Sequence, residues 1–389
     1  MEVFNMKKFL AAALVCAMTL SMASCTSSAP TTSSGDTSST PASSAASTTE
    51  SESGTSTAAS DLKVGVFYYA FSDVYITNVR TNMDAKLGEL GVTYQNFDGN
   101  NNQAQQTDQI NTAIADGYNL LIVNIVDTTS PDAAQSITDA AKNAGIPVIF
   151  FNREISDDVV KSYENCAFVG TDAAEAGHMQ GELIGEYLVE NYETVDLNGD
   201  GKISYVLFKG QEANAEAEYR TQYSVEDADK ILAEAGKEPL SFYDSNNPKK
   251  YLVDQTGAWS AQAAVDYMNT ILSEYSESNG NMVELVIANN DGMAEGAISA
   301  LQGIGYNTGT EGSTTIPVFG VDAVDTAKEK IQAGQMTGTI MQDAAGMADT
   351  ITTLVGNLKG GEDLMANTDQ FNVDDSVAKI RVPYGVYTG

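Results

Sequence analysis

The chain has 389 residues, of which 53 are acidic and 20 are basic, so its formal net charge is −33 at pH 7. This excess of negative charge disfavours binding to phosphate backbones and to anionic lipid headgroups, so we expect no nucleic-acid partner. Hydrophobic side chains make up 42 % of the chain, which is enough for about two domains of ordinary size without disulfides.

The N-terminus is typical of a secretion signal. Lys7 and Lys8 precede an apolar run over residues 9–20, which is shorter than the roughly 20 residues of a membrane-spanning helix. The sequence Met-Ala-Ser-Cys that follows ends at Cys25 and resembles a bacterial lipobox. We therefore predict that residues 1–24 are a lipoprotein signal peptide and that Cys25 is lipidated. An ordinary signal peptide that happens to contain this cysteine is the alternative.

The segment after the cysteine has a low-complexity composition. Residues 26–60 are almost wholly Ser, Thr, Ala, Gly and Pro, with a few acids and no large apolar side chain. Such a segment cannot bury enough surface to offset its ordering entropy. We therefore predict a lipidated cysteine and disordered tether over 25–60, and a folded body that begins near Asp61. The protein is expected outside the cytoplasm, held to the cell membrane only by its lipid anchor.

The remaining cysteine does not indicate an enzyme. Cys16 lies in the leader and Cys25 at the predicted lipidation site, so Cys166 has no partner for an intramolecular disulfide. We expect Cys166 to fill a gap in the core beside a strand. The single histidine, His178, lies in a polar helical stretch with nothing to mark it as a base, which disfavours a Cys-His nucleophile.

Short apolar runs alternate with amphipathic helical stretches in the first half of the folded body. The predicted strands cover residues 64–69, 93–97, 120–126, 147–151 and 167–170. The predicted helices between and after them cover about 75–90, 103–117, 131–144 and 173–192. This order is the βαβ pattern of a parallel sheet that is buried on both faces.

The pattern restarts in the second half. Further strands are predicted at residues 203–208, 240–243, 283–288, 317–321 and 336–341. Two local matches, of residues 120–127 with 284–291 and of 145–152 with 315–322, suggest an internal repeat. The sequence therefore predicts an α/β protein with two doubly wound parallel-sheet lobes.

Polar residues follow the carboxyl ends of the predicted strands, where open α/β sheets bind ligands. They are Asp73, Asn124, Asn152, Asn290, Asp291 and Asp322. Taken singly, each has a plain alternative role as a helix cap. So many at equivalent strand ends of two lobes indicate a shared cleft.

Several long motifs resemble those of a known family. They are Gln109–Ile114, Asn124–Asp127, Pro147–Asn152, Tyr205–Gly210, Val286–Met293, Ile316–Ala323 and Arg381–Tyr384. Their order and spacing resemble those of bacterial periplasmic galactose/glucose-binding proteins, the substrate-binding components of sugar ABC importers, from about Val64 to Val386. The resemblance implies the type 1 periplasmic binding protein fold, in which three chain segments form a hinge between the lobes.

The lobe boundaries expected from this resemblance place chain crossings near Gly145–Val148, Asp343–Gly346 and Asn372–Lys379. The N-terminal sugar-binding lobe would then comprise residues 61–145 plus 346–376. The C-terminal sugar- and calcium-binding lobe would comprise residues 146–345 plus 377–389.

The resemblance also implies the sugar contacts. Asp73 matches an acid that accepts from a sugar hydroxyl, and Tyr75 and Trp259 match the two rings that enclose the pyranose. Sugars present flat C–H faces with hydroxyls at the edge, which suits two rings and a polar rim. The rim residues that match in type are Asn124, Arg220, Asn290 and Asp322.

Three rim positions depart from the family pattern. Asn214 stands in place of a histidine, Glu216 in place of an aspartate, and Gln342 in place of an asparagine. Each keeps hydrogen-bonding capacity but changes reach or the pattern of donors and acceptors. The expected ligand is galactose or glucose, and another monosaccharide is the alternative.

The stretch DLNGDGKIS, residues 196–204, begins like a calcium loop. Oxygen groups at alternate positions come from Asp196, Asn198, Asp200, the Lys202 carbonyl and Ser204. A strand follows where an EF-hand has a helix and a final glutamate. The resemblance implies that Glu284 supplies the last ligand and that Ser204 replaces a glutamine. We expect a structural Ca²⁺; a polar turn is the alternative.

We therefore expect a monomeric, lipid-anchored hexose-binding protein that presents its sugar to an ABC permease. A sensory module that serves a chemoreceptor or a sensor kinase is the alternative within the same fold. No combination of nucleophile, base and orienting group stands out, so we do not expect an enzyme. A sugar-responsive transcription factor is disfavoured by the leader, the tether and the absence of a basic DNA-binding segment.

Overall fold

The computed structural model describes residues 61–374 and 376–389. The predictions made for the signal peptide over 1–24, for Cys25 and for the tether lie outside the described residues. The described chain forms two seven-stranded sheets, each covered by helices on both faces, as the βαβ pattern predicted.

The first sheet contains the first five strands and two short strands from near the C-terminus. Its members are β1 (Lys63–Tyr68), β2 (Thr93–Asp98), β3 (Leu120–Val123), β4 (Val148–Phe151), β5 (Cys166–Gly170), β12 (Asn372–Asp374) and β13 (Lys379–Arg381). Their order across the sheet is β12-β13-β5-β4-β3-β1-β2, and only the β12–β13 pair is antiparallel.

The second sheet repeats this design. Its members are β6 (Ser204–Lys209), β7 (Ser241–Phe242), β8 (Leu252–Val253), β9 (Leu285–Ala288), β10 (Val318–Asp322), β11 (Gly338–Gln342) and β14 (Tyr384–Tyr387). The order is β14-β11-β10-β9-β6-β7, and β8 also pairs with β6, at the end of β6 opposite to the residues that pair with β7. The internal repeat predicted from the sequence therefore corresponds to two sheets of similar winding.

The helices follow the strands in chain order. They are α1 (Val74–Leu90), α2 (Gln103–Ala115), α3 (Asp132–Ala144), α4 (Asp157–Lys161), α5 (Ala173–Val195), α6 (Ala215–Glu234), α7 (Ala261–Glu274), α8 (Asp291–Gln302), α9 (Asp325–Gln332) and α10 (Ala344–Gly360). A 3₁₀ turn covers Glu277–Asn279. Among residues 61–374 and 376–389, no helix has both the length and the apolarity that a membrane crossing requires.

Each sheet is sandwiched between two apolar clusters. In the first lobe, strands β3 and β4 are buried at every position, as expected for parallel strands covered on both faces. Cys166 lies in this core with 1 % of its surface exposed, and burial raises the pKa of its thiol to about 12. The core role predicted for Cys166 is confirmed.

The chain crosses between the lobes at three places, two of which differ from the expected ones. Strands β4 and β5 pair with β3 in the first sheet, so the first crossing follows Gly170 and does not lie near 145–148. The second crossing, at Asp343, lies where it was predicted. The third crossing is Val382–Pro383, because β13 still belongs to the first sheet.

The lobe boundaries are corrected accordingly. The first lobe comprises residues 61–170, helix α10 and residues up to 381, and the second lobe comprises α5 to β11 with β14. Helix α10 packs its buried Met347 and Ile351 against the first-lobe core. The expected boundaries failed because an Ile-Pro-Val segment follows Gly145 in the first half and Thr315 in the second, and this local pattern does not specify which sheet the strand joins.

Candidate functional site

One cleft lies between the carboxyl ends of the two sheets. Its lining residues are Tyr69, Asp73, Tyr75, Ile76, Asn152, Arg153, Asn214, Glu216, Arg220, Trp259, Asn290, Asp322 and Gln342. The space between these residues that no protein atom fills, including the part open to solvent, is about 380 Å³.

Two aromatic rings from opposite lobes line this cleft, as the sequence predicted. Tyr75 comes from the first turn of α1, and its hydroxyl lies 3.6 Å from the Met347 sulfur. Trp259 precedes α7 in the second lobe and has a φ of 56°, a left-handed conformation that is strained for a tryptophan. The two rings can therefore contact a ligand from both sides.

The turn that carries Trp259 is organised by a buried carboxylate. Asp254 is 4 % exposed and accepts hydrogen bonds from the backbone N–H and hydroxyl groups of both Thr256 and Ser260, at 2.7–2.9 Å. These bonds fix the backbone on both sides of Trp259. The strained conformation of this residue is thus held by contacts that need no ligand.

Arg220 of α6 has three hydrogen bonds inside the protein. Its Nη1 donates to the Asn289 carbonyl (2.8 Å), and its Nη2 donates to the Gln342 side-chain oxygen (3.1 Å) and to the Tyr384 hydroxyl (3.0 Å). The guanidinium carbon lies 5.8 Å from the Trp259 ring centroid. These contacts hold the guanidinium at the cleft. Its Nε–H group has no partner within the described residues and can donate to a ligand.

Four buried polar atoms of the lining residues have no hydrogen-bond partner within the described protein. They are Arg153 Nε, Glu216 Oε2, Arg220 Nε and Gln342 Nε2. The other Glu216 oxygen accepts from the Glu154 backbone N–H at 3.0 Å. Since buried polar groups are almost always paired, three donors and one acceptor are available to a polar ligand.

The charges of the cleft nearly balance. Asp73, Glu216 and Asp322 face Arg153 and Arg220, whereas the whole chain is strongly acidic. Burial raises the pKa of the Asp322 carboxyl well above its usual range, and the charge of Arg220 opposes this effect. Burial also raises the pKa of Glu216. The arrangement suits an uncharged ligand with several hydroxyl groups.

Three predicted contact residues are also helix caps, so both roles considered from the sequence apply. Asp73 accepts from the Ile76 N–H (2.8 Å), Asn214 from the Ala217 N–H (2.9 Å) and Asn290 from the Met293 N–H (2.9 Å). Each side chain also lines the cleft. Capping fixes the rotamer of each residue, which keeps its remaining polar atoms in place for a ligand.

The prediction for Asn124 needs correction. This side chain is fully buried behind the cleft, where its oxygen accepts from the Tyr69 N–H (3.3 Å) and its amide donates to the Asn152 side chain (3.0 Å) and to the Phe151 carbonyl (3.1 Å). Asn152, at the end of the next strand, lines the cleft instead. Asn124 is therefore a positioning residue for Asn152.

Sequence reasoning missed Arg153 and Tyr69. Arg153 is 4 % exposed, its guanidinium carbon lies 4.2 Å above the Tyr69 ring, and its Nη2 donates to Gln211 of the second lobe. The Tyr69 hydroxyl donates to Asp73 at 2.6 Å. The signal was available for Arg153, because it follows Asn152 directly at the carboxyl end of β4.

Direct contacts join the two lobes, so the structure is a closed form. Their partners are Asn101 with the Thr256 carbonyl (2.8 Å), Thr128 with Asn214 (3.3 Å), the Glu154 N–H with Glu216 (3.0 Å) and Arg153 with Gln211. The Asn214 amide donates one hydrogen bond to the Thr128 hydroxyl, while its oxygen caps α6. Asn214 therefore links the two lobes.

Asp291 lies behind the cleft and is not one of its lining residues. Its carboxylate accepts from the Val324 N–H (2.9 Å) and from the Thr339 hydroxyl (2.6 Å). Burial raises the pKa of this carboxyl to about 7. Asp291 thus anchors the turn after Asp322, a residue with a φ of 126°.

The loop over residues 196–204 is folded around its own carboxylates. Asp196 accepts from the N–H groups of Gly199 (2.8 Å), Asp200 (3.1 Å) and Gly201 (2.9 Å). Asn198 accepts from the Asp200 N–H at 2.8 Å. Gly201 has a φ of 76°, which fits the glycine expected at the sixth position.

Glu284 reaches this loop from the start of β9, as the resemblance implied. It is 1 % exposed, and its oxygens accept from the N–H groups of Leu197 (2.9 Å), Asn198 (3.4 Å) and Ser204 (2.8 Å). The Ser204 hydroxyl bonds to the Met282 carbonyl (2.9 Å) and to Glu284 (3.0 Å). Ser204 therefore holds Glu284 in place.

The oxygen groups of the loop suit calcium chemically, but their arrangement is not that of an assembled metal site. Within residues 61–374 and 376–389, no group of three or more His, Cys, Asp or Glu side chains converges as metal ligands would. Burial raises the pKa of Glu284. In the same described part of the chain, none of the ion pairs includes Asp196, Asp200 or Glu284.

Curated relatives resemble the chain over most of its length. The D-galactose/methyl-galactoside binding periplasmic protein MglB of Haemophilus influenzae is 33 % identical over 333 residues, which cover 85 % of this chain and 91 % of the relative. A putative rhizopine-binding protein of Rhizobium meliloti is 31 % identical over 309 residues, which cover 79 % and 87 %.

Solved structures share the fold. A solute-binding protein of an ABC transporter from Bacillus halodurans with bound myo-inositol has a TM-score of 0.63 at 24 % identity, covering 85 % of this chain and 96 % of its own. One from Clostridium phytofermentans with bound β-D-glucose has a TM-score of 0.63 at 21 % identity, covering 84 % and 94 %. The family model for the periplasmic binding protein domain matches residues 64–363. The chain therefore belongs to the periplasmic binding proteins and has their type 1 fold.

Proposed function

We propose that this protein binds a neutral monosaccharide in the cleft between its lobes and passes it to the permease of an ABC importer. The observation that carries the proposal is the combination of Tyr75 and Trp259 on opposite sides of a cleft with four unpartnered buried polar atoms. A pyranose offers apolar faces to the rings and hydroxyls to the polar atoms.

The ligand is expected to stabilise the closed form because both lobes contact it. Tyr75, Asp73 and Arg153 come from the first lobe, and Trp259, Glu216 and Arg220 come from the second. A ligand shifts the equilibrium between open and closed forms only by its difference in affinity for them. A hydroxyl-bearing molecule that joins the two sets of groups provides that difference.

Galactose and glucose are the first candidates for the sugar. The support is the 33 % identity to a D-galactose/methyl-galactoside binding protein and the match of Asp73, Arg220, Trp259, Asn290 and Asp322 in type. The contact of Asn214 with Thr128 of the other lobe is an argument against this choice, since it leaves only one N–H of the Asn214 amide for the sugar. A different monosaccharide or a cyclic polyol is the second candidate.

Calorimetric titration of the mature protein tests the proposal. The panel is galactose, glucose, xylose, ribose, arabinose and myo-inositol, each titrated into the wild type and into Trp259→Ala. We expect saturable binding of at least one sugar by the wild type and none by the variant. Binding of myo-inositol alone would reject the monosaccharide assignment, and binding of no compound would reject the proposed ligand class.

We propose that the protein binds its sugar without catalysing a reaction. Glu216 and Asp322 are carboxyl groups of the cleft, but the free oxygen of Glu216 and the buried Asp322 equally suit hydroxyl recognition. Incubation with a panel of galactosides and glucosides should release no free sugar. Release that is lost in Glu216→Ala would contradict this form of the proposal.

Transport and sensing use the same cleft, so a cell experiment separates them. Deletion of the gene should abolish uptake of the bound sugar if the protein serves an ABC permease. Normal uptake together with a lost sugar response would assign the protein to a chemoreceptor or a sensor kinase instead.

We also propose that Cys25 carries a lipid anchor, which rests on the lipobox-like sequence before it and on the tether composition of residues 26–60. Expression of Cys25→Ala should release the protein from the membrane fraction. Membrane association that survives this change would contradict the anchor.

Calcium binding by the loop over 196–204 is a further part of the proposal. The residues that would hold the ion are Asp196, Asn198, Asp200, the Lys202 carbonyl and Glu284. Calcium, when bound, would supply positive charge beside a buried carboxylate that has no basic partner among the described ion pairs. Its effect would be structural, since the loop and Glu284 belong to the same lobe.

A further inference from the structure

We propose that Tyr384 is a positioning residue that ties the ligand-binding Arg220 to the hinge between the lobes. The Tyr384 hydroxyl accepts from Arg220 Nη2 at 3.0 Å and lies 2.8 Å from the Thr171 hydroxyl. Arg220 can only donate, so the Tyr384 oxygen accepts from it, and either of the Tyr384 and Thr171 hydroxyls can donate to the other. The three side chains thus form one continuous chain of hydrogen bonds.

These hydrogen bonds link residues at all three crossings between the lobes. Thr171 lies in the first crossing, directly after β5. Gln342, whose side-chain oxygen also accepts from Arg220, directly precedes the second crossing. Tyr384 directly follows the third crossing, where the Val382 N–H donates to the Gly170 carbonyl at 2.7 Å. Arg220 is therefore connected to every segment that must rotate when the lobes open.

The connection makes the orientation of Arg220 depend on the hinge. Opening requires a change of backbone angles at the crossings, and Thr171 and Tyr384 belong to different crossings. A rotation that separates them breaks the bond between their hydroxyls and frees the Tyr384 side chain. Arg220 then loses a fixed acceptor at Nη2. The free Nε is aimed at the cleft only while the closed hinge geometry persists.

Burial supports a role for these residues in the closed form. Thr171 is 2 % exposed and Arg220 is 3 % exposed, so neither hydrogen bond competes with water there. Neither Thr171 nor Tyr384 lines the cleft. An effect of these two residues on affinity therefore does not come from their direct contact with the ligand. This inference rests on the proposed binding of a sugar in the cleft.

Tyr384→Phe is the first test, because it removes one hydroxyl and keeps the ring. We expect the dissociation constant for the bound sugar to rise about tenfold, which corresponds to about 1.4 kcal/mol. The matched control is Tyr387→Phe on the same strand, whose hydroxyl accepts from Gln332 at 2.9 Å within the second lobe. The control should bind like the wild type.

A double-mutant cycle with Thr171→Val separates positioning from general loss of stability. Thr171→Val alone should raise the dissociation constant about threefold, because it removes only the hydrogen bond between Thr171 and Tyr384. In the Tyr384→Phe background, the same substitution should not raise the dissociation constant further. Stopped-flow fluorescence of Trp259, the only tryptophan, should show the loss as faster release.

Three outcomes decide the matter. Non-additive losses with unchanged melting temperatures support the proposal. Additive losses, or wild-type affinity in Tyr384→Phe while the wild type binds sugar, overturn it and leave the proposed function intact. Failure of the wild type to bind any sugar overturns both.

Discussion

The ring of Trp259 lies so close to Gly210 that a β-carbon on Gly210 would be 2.1 Å from the ring atoms. Gly210 directly follows β6, at the carboxyl end of a central strand, and Trp259 lies on the turn before α7. The absence of a side chain at Gly210 thus sets the position of one aromatic wall of the cleft.

Gly210→Ala should displace the Trp259 ring, because no real β-carbon tolerates a contact of that length. We expect sugar affinity to fall at least tenfold, or by about 1.4 kcal/mol or more. The tryptophan emission maximum should shift to longer wavelength as the ring moves into water. Gly88→Ala is the control, since its β-carbon would meet nothing within 4 Å. Unchanged emission and affinity in Gly210→Ala would contradict the described packing.

Removal of the Thr128 hydroxyl tests the contact between the lobes. Thr128→Val deletes only the hydrogen bond to Asn214, so sugar affinity should fall about fivefold, as expected for about 1 kcal/mol of net hydrogen-bond energy. The ligand-free protein should unfold as the wild type does. Asn214→Ala is the contrast, because it also removes the cap of α6 and should cost about 1 kcal/mol of stability. Wild-type affinity in both variants would argue against a role of this contact in closure.

The raised pKa of Asp291 predicts a specific pH dependence of stability. Burial raises this pKa from 3.8 to about 7, so folding favours the neutral carboxyl. Its contribution is full below pH 4 and is lost as the pH rises through 7. The stability advantage of the wild type over Asp291→Asn should therefore shrink between pH 4 and 8 in denaturant titrations. An advantage of the wild type that grows over this pH range would contradict the sign.

Chelation of calcium should lower the melting temperature of the wild type and leave that of Glu284→Gln unchanged. The reason is that the variant lacks the carboxylate that reaches the loop from β9. Sugar affinity should change little in either case, because the loop lies outside the cleft. Glu193→Gln, with a side chain 95 % exposed, is the control for the substitution itself. Equal melting temperatures of the wild type with and without chelator would reject the metal site.

Local sequence patterns predicted the strands and most long helices because their signal is short-range. Strands β1, β3, β4 and β5 are each a run of mainly apolar residues, and β2 carries Tyr94 and Phe97 among polar residues. Each strand is found within a few residues of the predicted range. Strands β12 to β14 were not predicted as such. They are three or four residues long, and their pairing depends on partners far away in the chain.

The residues of the site could be predicted better than their positions within it. Tyr75, Arg220 and Trp259 line the cleft, as the family resemblance implied. Asn124 and Asn152 could not be told apart from the sequence, because both follow a buried strand. The structure separates them by depth: one amide is fully enclosed, and the other faces the cleft.

The role of Asn214 also required the three-dimensional structure. Its partner Thr128 is in the opposite lobe, and no sequence pattern relates the two. Arg153 is a comparable case, because its stacking on Tyr69 joins two strands that are not neighbours in the chain.

The final stretch of the chain, residues 379–389, contributes one strand to each sheet. β13 covers the open edge of β5 in the first sheet, and β14 covers β11 in the second. During synthesis, neither lobe can complete its sheet until these residues have been made. A chain that stops short of them leaves two unpaired strand edges, which favour aggregation. Completion of both sheets thus depends on the same short segment, residues 379–389.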